Sequence, residues 1–295
     1  MTSVDHVNVF THRGKGGNPC PLVVDAKGMS GAEMQAVARE HGHESGFVLP
    51  AESEDFDLTL RFYVPNHEME MCGHATVGAL WLLARDSLLS KTTVRIATRS
   101  GPVAGFLSKG ADGTPKVEIT QPAGRVGALT NEQTNDVLHA LGIGRDALAD
   151  LPLHNAVTSR TKTLVPMKDV DRLNALVADP ARVEAVCHRI GSTGLYPYAI
   201  RDKGERTFEA RQFPRSSGYP EDAATGIAAA ALAFGLLADA TIDRDDRLIR
   251  IFQGRAMGQL SEIHVRIGFA DGQAIGCLLG GAVTPADKVV RQRAI

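Results

Sequence analysis

Four side chains able to hold or move a proton stand at points where the chain changes from one kind of structure to another: Glu44, Cys72, His74 and Asp222. Cys72-Gly73-His74 lies where an extended segment turns at once into an apolar helix carrying Val77, Leu80, Leu83 and Ala84 on one side. The first N–H groups of such a helix, those of Gly73 to Thr76, are expected to lack partners within it. The helix dipole adds positive potential, so the turn suits a carboxylate or phosphate. His74 brings a titratable imidazole to the same point. Glu44 follows the Gly42 that ends a helix and precedes the short apolar run Phe47-Val48-Leu49, closed by Pro50. A carboxylate at the edge of buried structure is placed for general acid and base chemistry. Taken singly, each of these residues also reads as an ordinary surface or loop side chain.

Their positions are set by an arrangement that occurs twice. Residues 58–64 alternate Leu58, Leu60, Phe62 and Val64 with polar residues, a half-buried strand ending at Pro65 and leading to Cys72. Residues 207–213 form a second such strand ending at Pro214, followed by Glu221-Asp222-Ala223-Ala224-Thr225-Gly226 and an apolar helix from Ile227 to Leu237. Side by side, Cys72-Gly73-His74-Ala75 falls on Ala223-Ala224-Thr225-Gly226. Strands follow both helices, at 93–97, 103–107 and 116–120 and again at 248–252, 261–267 and 273–279. Two copies of one unit about a pseudo-twofold axis account for this pattern, with both helix starts aimed into a cleft. Such a cleft would clamp a small anionic molecule through N–H groups, with Glu44 as proton carrier and His74 and Asp222 assisting.

The remaining chain supports an α+β chain with two domains, 1–120 and 121–295, separated at Gln121-Pro122-Ala123-Gly124, with the last strands crossing back to the first domain. Residues 4–10 and 21–25 read as strands, and Ser30-Gly31-Ala32-Glu33 as a capping box opening a helix with Met34, Val37 and Ala38 inward. Two phosphate-site lookalikes are rejected. Gly14-Lys15-Gly16-Gly17 lacks the spacing of a phosphate-binding loop, and Gly142-Ile143-Gly144-Arg145-Asp146-Ala147 follows a helix where the dinucleotide fingerprint must follow a strand. With 32 Lys+Arg against 34 Asp+Glu and no block of like charge, nothing points to nucleic acid or a membrane surface. No signal-peptide profile or membrane-length apolar run is present, which gives a cytoplasmic expectation. Cys20, Cys72, Cys187 and Cys277 are far apart without CxxC, indicating neither a zinc site nor a disulfide framework.

Six stretches in order resemble the PhzF family, named for the phenazine-biosynthesis isomerase, within the diaminopimelate-epimerase-like fold. They are Val7-Asn8-Val9-Phe10 with Gly17-Asn18-Pro19, Glu44-Ser45-Gly46-Phe47-Val48, Arg61-Phe62-Tyr63-Val64-Pro65, Cys72-Gly73-His74-Ala75-Thr76, Glu221-Asp222 with Ala224-Thr225-Gly226, and Gln253-Gly254 with Met257-Gly258. The resemblance covers nearly the whole chain. It implies two epimerase-like domains, each a barrel-like sheet around a central apolar helix. It also implies a homodimeric isomerase needing no cofactor or metal, in which Glu44 moves a proton between carbons of a small carboxylate-bearing substrate. His74 and Asp222 assist, and Asn18, Cys72, Gly73, Ala75, Thr225, Gly226 and Ile227 bind the substrate.

Related epimerases of this fold place a cysteine at each helix start. With Ala223 opposite Cys72, a two-thiol reaction is disfavoured and Cys72 reads as a small packing residue. A cysteine-dependent epimerase or racemase and a non-catalytic small-molecule-binding protein stand as the alternatives. Ala223, Met69, Met71, Ser45-Gly46 and Gln259 depart from common residues of the family and bear on the substrate.

Overall fold

The computed structural model describes residues 3–286. The chain forms two compact units, one holding the described parts of Met1–Thr120 and Leu279–Ile295, the other Gln121–Leu278.

The first unit opens with the antiparallel pair β1 (Asp5–Thr11) and β2 (Asn18–Val23), in which Val7 faces Cys20 and Val9 faces Asn18. Helix α1 (Gly31–His41) starts at the predicted capping box, with Ser30 and Glu33 each bonding the other's backbone N–H. It stops at Gly42, whose φ of 68° is the left-handed C-cap that glycine adopts without a Cβ penalty. The chain then enters β3 (Ser45–Pro50), parallel to β2, and returns antiparallel as β4 (Leu58–Tyr63). After the two-residue β5 (Glu68–Met69) comes α2 (Gly73–Arg85), whose residues from Gly73 to Leu83 are all buried. A helix apolar on every side must lie inside its domain, and here the strands are laid around it. Strand β6 (Thr93–Thr98) completes a crossover by pairing parallel to β4, and β7 (Gly101–Lys109) and β8 (Pro115–Pro122) follow antiparallel.

The second unit repeats the order. Strand β9 (Arg125–Ala128) pairs with β10 (His154–Val157), and α3 (Asn131–Leu141) lies between them in sequence with its own capping box from Thr130. Strands β10 and β11 (Thr161–Pro166) are antiparallel; α4 (Val170–Asn174) and α5 (Pro180–Ile190) cross to β12 (Gly194–Asp202), parallel to β11. Strand β13 (Thr207–Ala210) pairs antiparallel with β12. The strand expected over 207–213 is broken: Arg211 and Gln212 lie outside the ladder, and pairing with β12 resumes at β14 (Phe213–Pro214). The interruption falls opposite Pro197 of β12: the Arg211 N–H still donates to the Pro197 carbonyl at 2.9 Å, but proline has no N–H to return, while the Arg211 guanidinium bonds the carbonyls of Leu173, Asn174 and Leu176. Helix α6 (Gly226–Ala238) is as deeply buried as α2, and β15 (Ile249–Gln253) pairs parallel to β13 as β6 does to β4. Strands β16 (Ser261–Ala270) and β17 (Gln273–Gly280) follow, and β18 (Ala282–Pro285) pairs with β1 in the first unit. No helix among the described residues is long and apolar enough to cross a membrane.

Candidate functional site

Glu44 sits between the C-cap of α1 and the first residue of β3. Its distance from α2 is set by the packing of β3 against that helix. A Cβ built on Gly46 would stand 2.8 Å from Leu22 Cδ2 and 3.2 Å from Ala75 Cβ, so only a hydrogen fits between the strand and the helix's first turn. Gly46 and the small Ala75 thereby let Glu44 reach the side chains at the helix start. Cys72 Sγ lies 3.1 Å from Glu44 Oε2 and donates to it, and His74 Nδ1 is 3.4 Å from that oxygen and 3.4 Å from the sulfur. Cys72 and His74 are buried, whereas Glu44 keeps 18 % of its side chain exposed, which leaves the carboxylate within reach of a ligand.

The charge states follow from burial. His74 is close enough to Glu44 for an ion pair, but desolvation, the largest influence, lowers its pKa below 6.5 against the opposing pull of Glu44. The imidazole is thus neutral at neutral pH. Burial, with the Glu44 charge second, pushes the Cys72 thiol well above its usual range, so Cys72 is a thiol and a donor, not a thiolate. A part-exposed carboxylate that accepts a thiol proton and stands beside a neutral imidazole has the means to act as a general base.

The helix start behaves largely as its sequence indicates. Cys72 is an extended N-cap whose side chain makes no capping bond. Its carbonyl accepts from the N–H of Thr76 at 3.0 Å and from the Thr76 hydroxyl at 2.8 Å. Thr76 is therefore inside the helical ladder, which corrects the expectation for that residue. The groups without a carbonyl four residues back are the N–H groups of Gly73, His74 and Ala75. Asn18 is buried at the start of β2, opposite Val9.

In the second unit the corresponding turn is held by a network that sequence reasoning did not assemble. The Gln253 amide donates to the Asp222 carbonyl at 2.7 Å, and its oxygen accepts from the Tyr196 hydroxyl at 3.0 Å and the Thr225 N–H at 3.3 Å. The Thr225 hydroxyl in turn donates to the Asp222 carboxylate. Gly254, after Gln253, has φ of 83°, and a Cβ there would lie 2.8 Å from the Ala223 carbonyl, so the motif needs glycine on two counts. The sequence signal was the Gln253-Gly254 stretch that resembles the family; what it did not tell was the partner Tyr196, 57 residues away.

The caps also correct the alignment of the two turns. Cys72 and Thr225 are both extended N-caps, Gly73 and Gly226 both open helices of 13 residues, and Asp86 and Asp239 both close them. The residue matching Cys72 is therefore Thr225, not Ala223, and Ile227 matches His74. Ala223-Ala224 had suggested the earlier register because alanine is as compatible with a helix start as with a turn. In this register the residue matching Cys72 is a threonine and not a second cysteine.

A strand-rich unit wrapped around a buried helix and occurring twice defines a diaminopimelate-epimerase-like α+β fold, and in the first copy a carboxylate, a thiol and an imidazole converge at the helix start. The pattern of the phenazine biosynthesis-like proteins, PhzC-PhzF, matches residues 7–287. The chain belongs to that family, and with its isomerases. It is 32 % identical over 284 residues, 95 % of this chain and 94 % of the other, to the uncharacterized isomerase YddE of Escherichia coli O157:H7. It is 28 % identical over 261 residues, covering 88 % and 86 %, to the trans-2,3-dihydro-3-hydroxyanthranilate isomerase of Pseudomonas fluorescens. The crystal structure of the Bacillus anthracis phenazine biosynthesis protein of the PhzF family superposes with a TM-score of 0.86 at 24 % identity, covering 96 % of each chain.

Proposed function

We propose that the protein is a cofactor-independent isomerase in which Glu44 takes a proton from one carbon of a small carboxylate-bearing metabolite and returns one to another. The supporting observation is the Glu44 carboxylate, part-exposed and held on one oxygen by the Cys72 thiol and beside the neutral His74 imidazole. In this reading the N–H groups of Gly73 and His74 at the helix start stabilise negative charge that develops on the substrate, aided by the helix dipole. Asp222, Thr225, Gly226 and Ile227 supply the second set of substrate contacts, with Asp222 orienting an amino or hydroxyl group. The enzyme works in the cytoplasm as a homodimer, which light scattering on the purified protein checks.

The test is incubation with amino and hydroxy carboxylates in deuterated water, read by mass spectrometry, with Glu44→Gln in parallel. The panel includes trans-2,3-dihydro-3-hydroxyanthranilate, the substrate in the name of the Pseudomonas fluorescens relative. Label gained only with the intact glutamate is the expected result; undiminished turnover by Glu44→Gln would sink the reading. Cys72→Ala separates it from a thiol-dependent epimerase. We expect that variant to retain far more turnover than Glu44→Gln, whereas inactivation to the same level would assign the proton to sulfur.

A further inference from the structure

The residues at the first helix start have a second capability, set by their geometry. Glu44 Oε2, Cys72 Sγ and His74 Nδ1 form a triangle with sides of 3.1 Å (S to O), 3.4 Å (S to N) and 3.4 Å (N to O). Oxygen, nitrogen and sulfur ligands bound tetrahedrally to zinc are separated by about 3.3 to 3.5 Å, given metal–ligand distances of about 2.0 to 2.3 Å. Each side thus matches one face of a zinc tetrahedron to within about 0.4 Å. Among the described residues these three are the group of His, Cys, Asp and Glu side chains with ligand atoms close enough to share an ion.

We propose that Glu44, Cys72 and His74 bind one zinc ion, leaving its fourth position to water or another small ligand. The mixed thiolate, imidazole and carboxylate set suits zinc, where carboxylates alone would favour magnesium or calcium. Binding is an exchange without redox change: the Cys72 thiol gives its proton to the buffer, its sulfur lone pair bonds the metal, and His74 donates the Nδ1 lone pair. The carboxylate and thiolate then cancel the two charges of the ion, so the site passes from the single negative charge of Glu44 to neutrality. The part-exposed Glu44 gives the ion its approach. Spacing hid the site, since Glu44 and Cys72 are 28 residues apart and the motif lacks the close cysteine pairs of structural zinc sites. Occupancy would take the carboxylate out of proton transfer and make zinc an inhibitor, a consequence that rests on the function proposed above; the binding itself does not.

Cobalt(II) titrated into the metal-free protein reads binding without turnover, so a missing substrate cannot mask the answer. The expected result is a thiolate-to-cobalt charge-transfer band in the near ultraviolet that saturates at a single equivalent and is displaced by zinc. Cys72→Ser should abolish the band. His74→Asn should keep it but weaken binding by at least about tenfold, the lower end of what loss of an outer-sphere partner costs a metal site. Cys20→Ser, which alters the other thiol beside Glu44, should leave both unchanged. No band from protein that circular dichroism shows to be folded overturns the proposal, as does a band that survives Cys72→Ser or disappears in Cys20→Ser. Should Cys72→Ser fail to fold, unaltered cobalt affinity in His74→Asn overturns it equally.

Discussion

The helix starting at Gly73 and the helix starting at Gly226 agree in length, in extended N-caps and in C-caps at Asp86 and Asp239. In each, an arginine bonds a glutamate four residues before the N-cap through two N–H groups: Arg61 with Glu68 at 2.7 and 2.9 Å, Arg211 with Glu221 at 2.8 and 2.7 Å. They differ in what fills the first turn. The first turn faces the Glu44 carboxylate with a thiol and an imidazole; the second is filled by Gln253, Tyr196, Asp222 and Thr225 bonded to one another. On the function proposed above, one backbone carries chemistry in one copy and a fixed hydrogen-bond network in the other. Burial follows the same division, since the Arg61 and Glu68 side chains are 31 % and 14 % exposed and those of Arg211 and Glu221 are 7 % and 11 %.

The strongest test of this contrast is kinetic. Glu44→Gln should lower kcat by about 10²- to 10⁴-fold, the usual worth of a general acid or base. Asp222→Asn, which removes a contact and no proton carrier, should cost on the order of tenfold in kcat/KM. Similar losses in both would abolish the distinction. Next in size is a pair of stability measurements by urea unfolding. Arg211→Met strands Glu221 in a buried setting and should destabilise by about 3 to 5 kcal/mol. Arg61→Met should cost about 1 kcal/mol or less, because the pair is more exposed and Glu68 also has Arg99 at 2.7 Å.

Gln253→Leu leaves the Tyr196 hydroxyl and the Thr225 N–H without their acceptor, and should lower stability by roughly 2 to 3 kcal/mol. If the network also positions substrate contacts, KM should rise more than kcat falls; a pure loss of stability would leave both unchanged in the folded fraction. The smallest effect is the pH dependence contributed by His74. Its folded-state pKa lies below 6.5. The unfolded chain therefore takes up a proton that the folded chain refuses. This contribution to stability is complete above about pH 6.5 and is lost as pH falls from there toward the lowered folded pKa, with a slope of at most about 1.4 kcal/mol per pH unit. Urea midpoints from pH 7.5 to 5 should decline less steeply in His74→Asn than in the parent.

The first turn was legible because its signals are local: an alternating strand, a proline, then glycine and histidine opening an apolar helix within a few residues. Glu44 was legible as a carboxylate between a helix-ending glycine and a buried strand. The second turn was legible as a repeat, but its register was not, since Ala223, Ala224 and Thr225 are all short residues and the cap is fixed by backbone angles that composition does not encode. The break at Arg211 escaped for a related reason: Pro197 is visible in the sequence, but that it would stand opposite Arg211 depends on a strand register that composition does not encode.

Gly46 carries a consequence for mutational tolerance. It has no functional group, yet the gap it leaves between β3 and Ala75 sets where Glu44 stands. A substitution scan scored by activity should therefore rank position 46 among the least permissive in the chain, intolerant even of alanine. A chemist looking for reactive groups would pass over it.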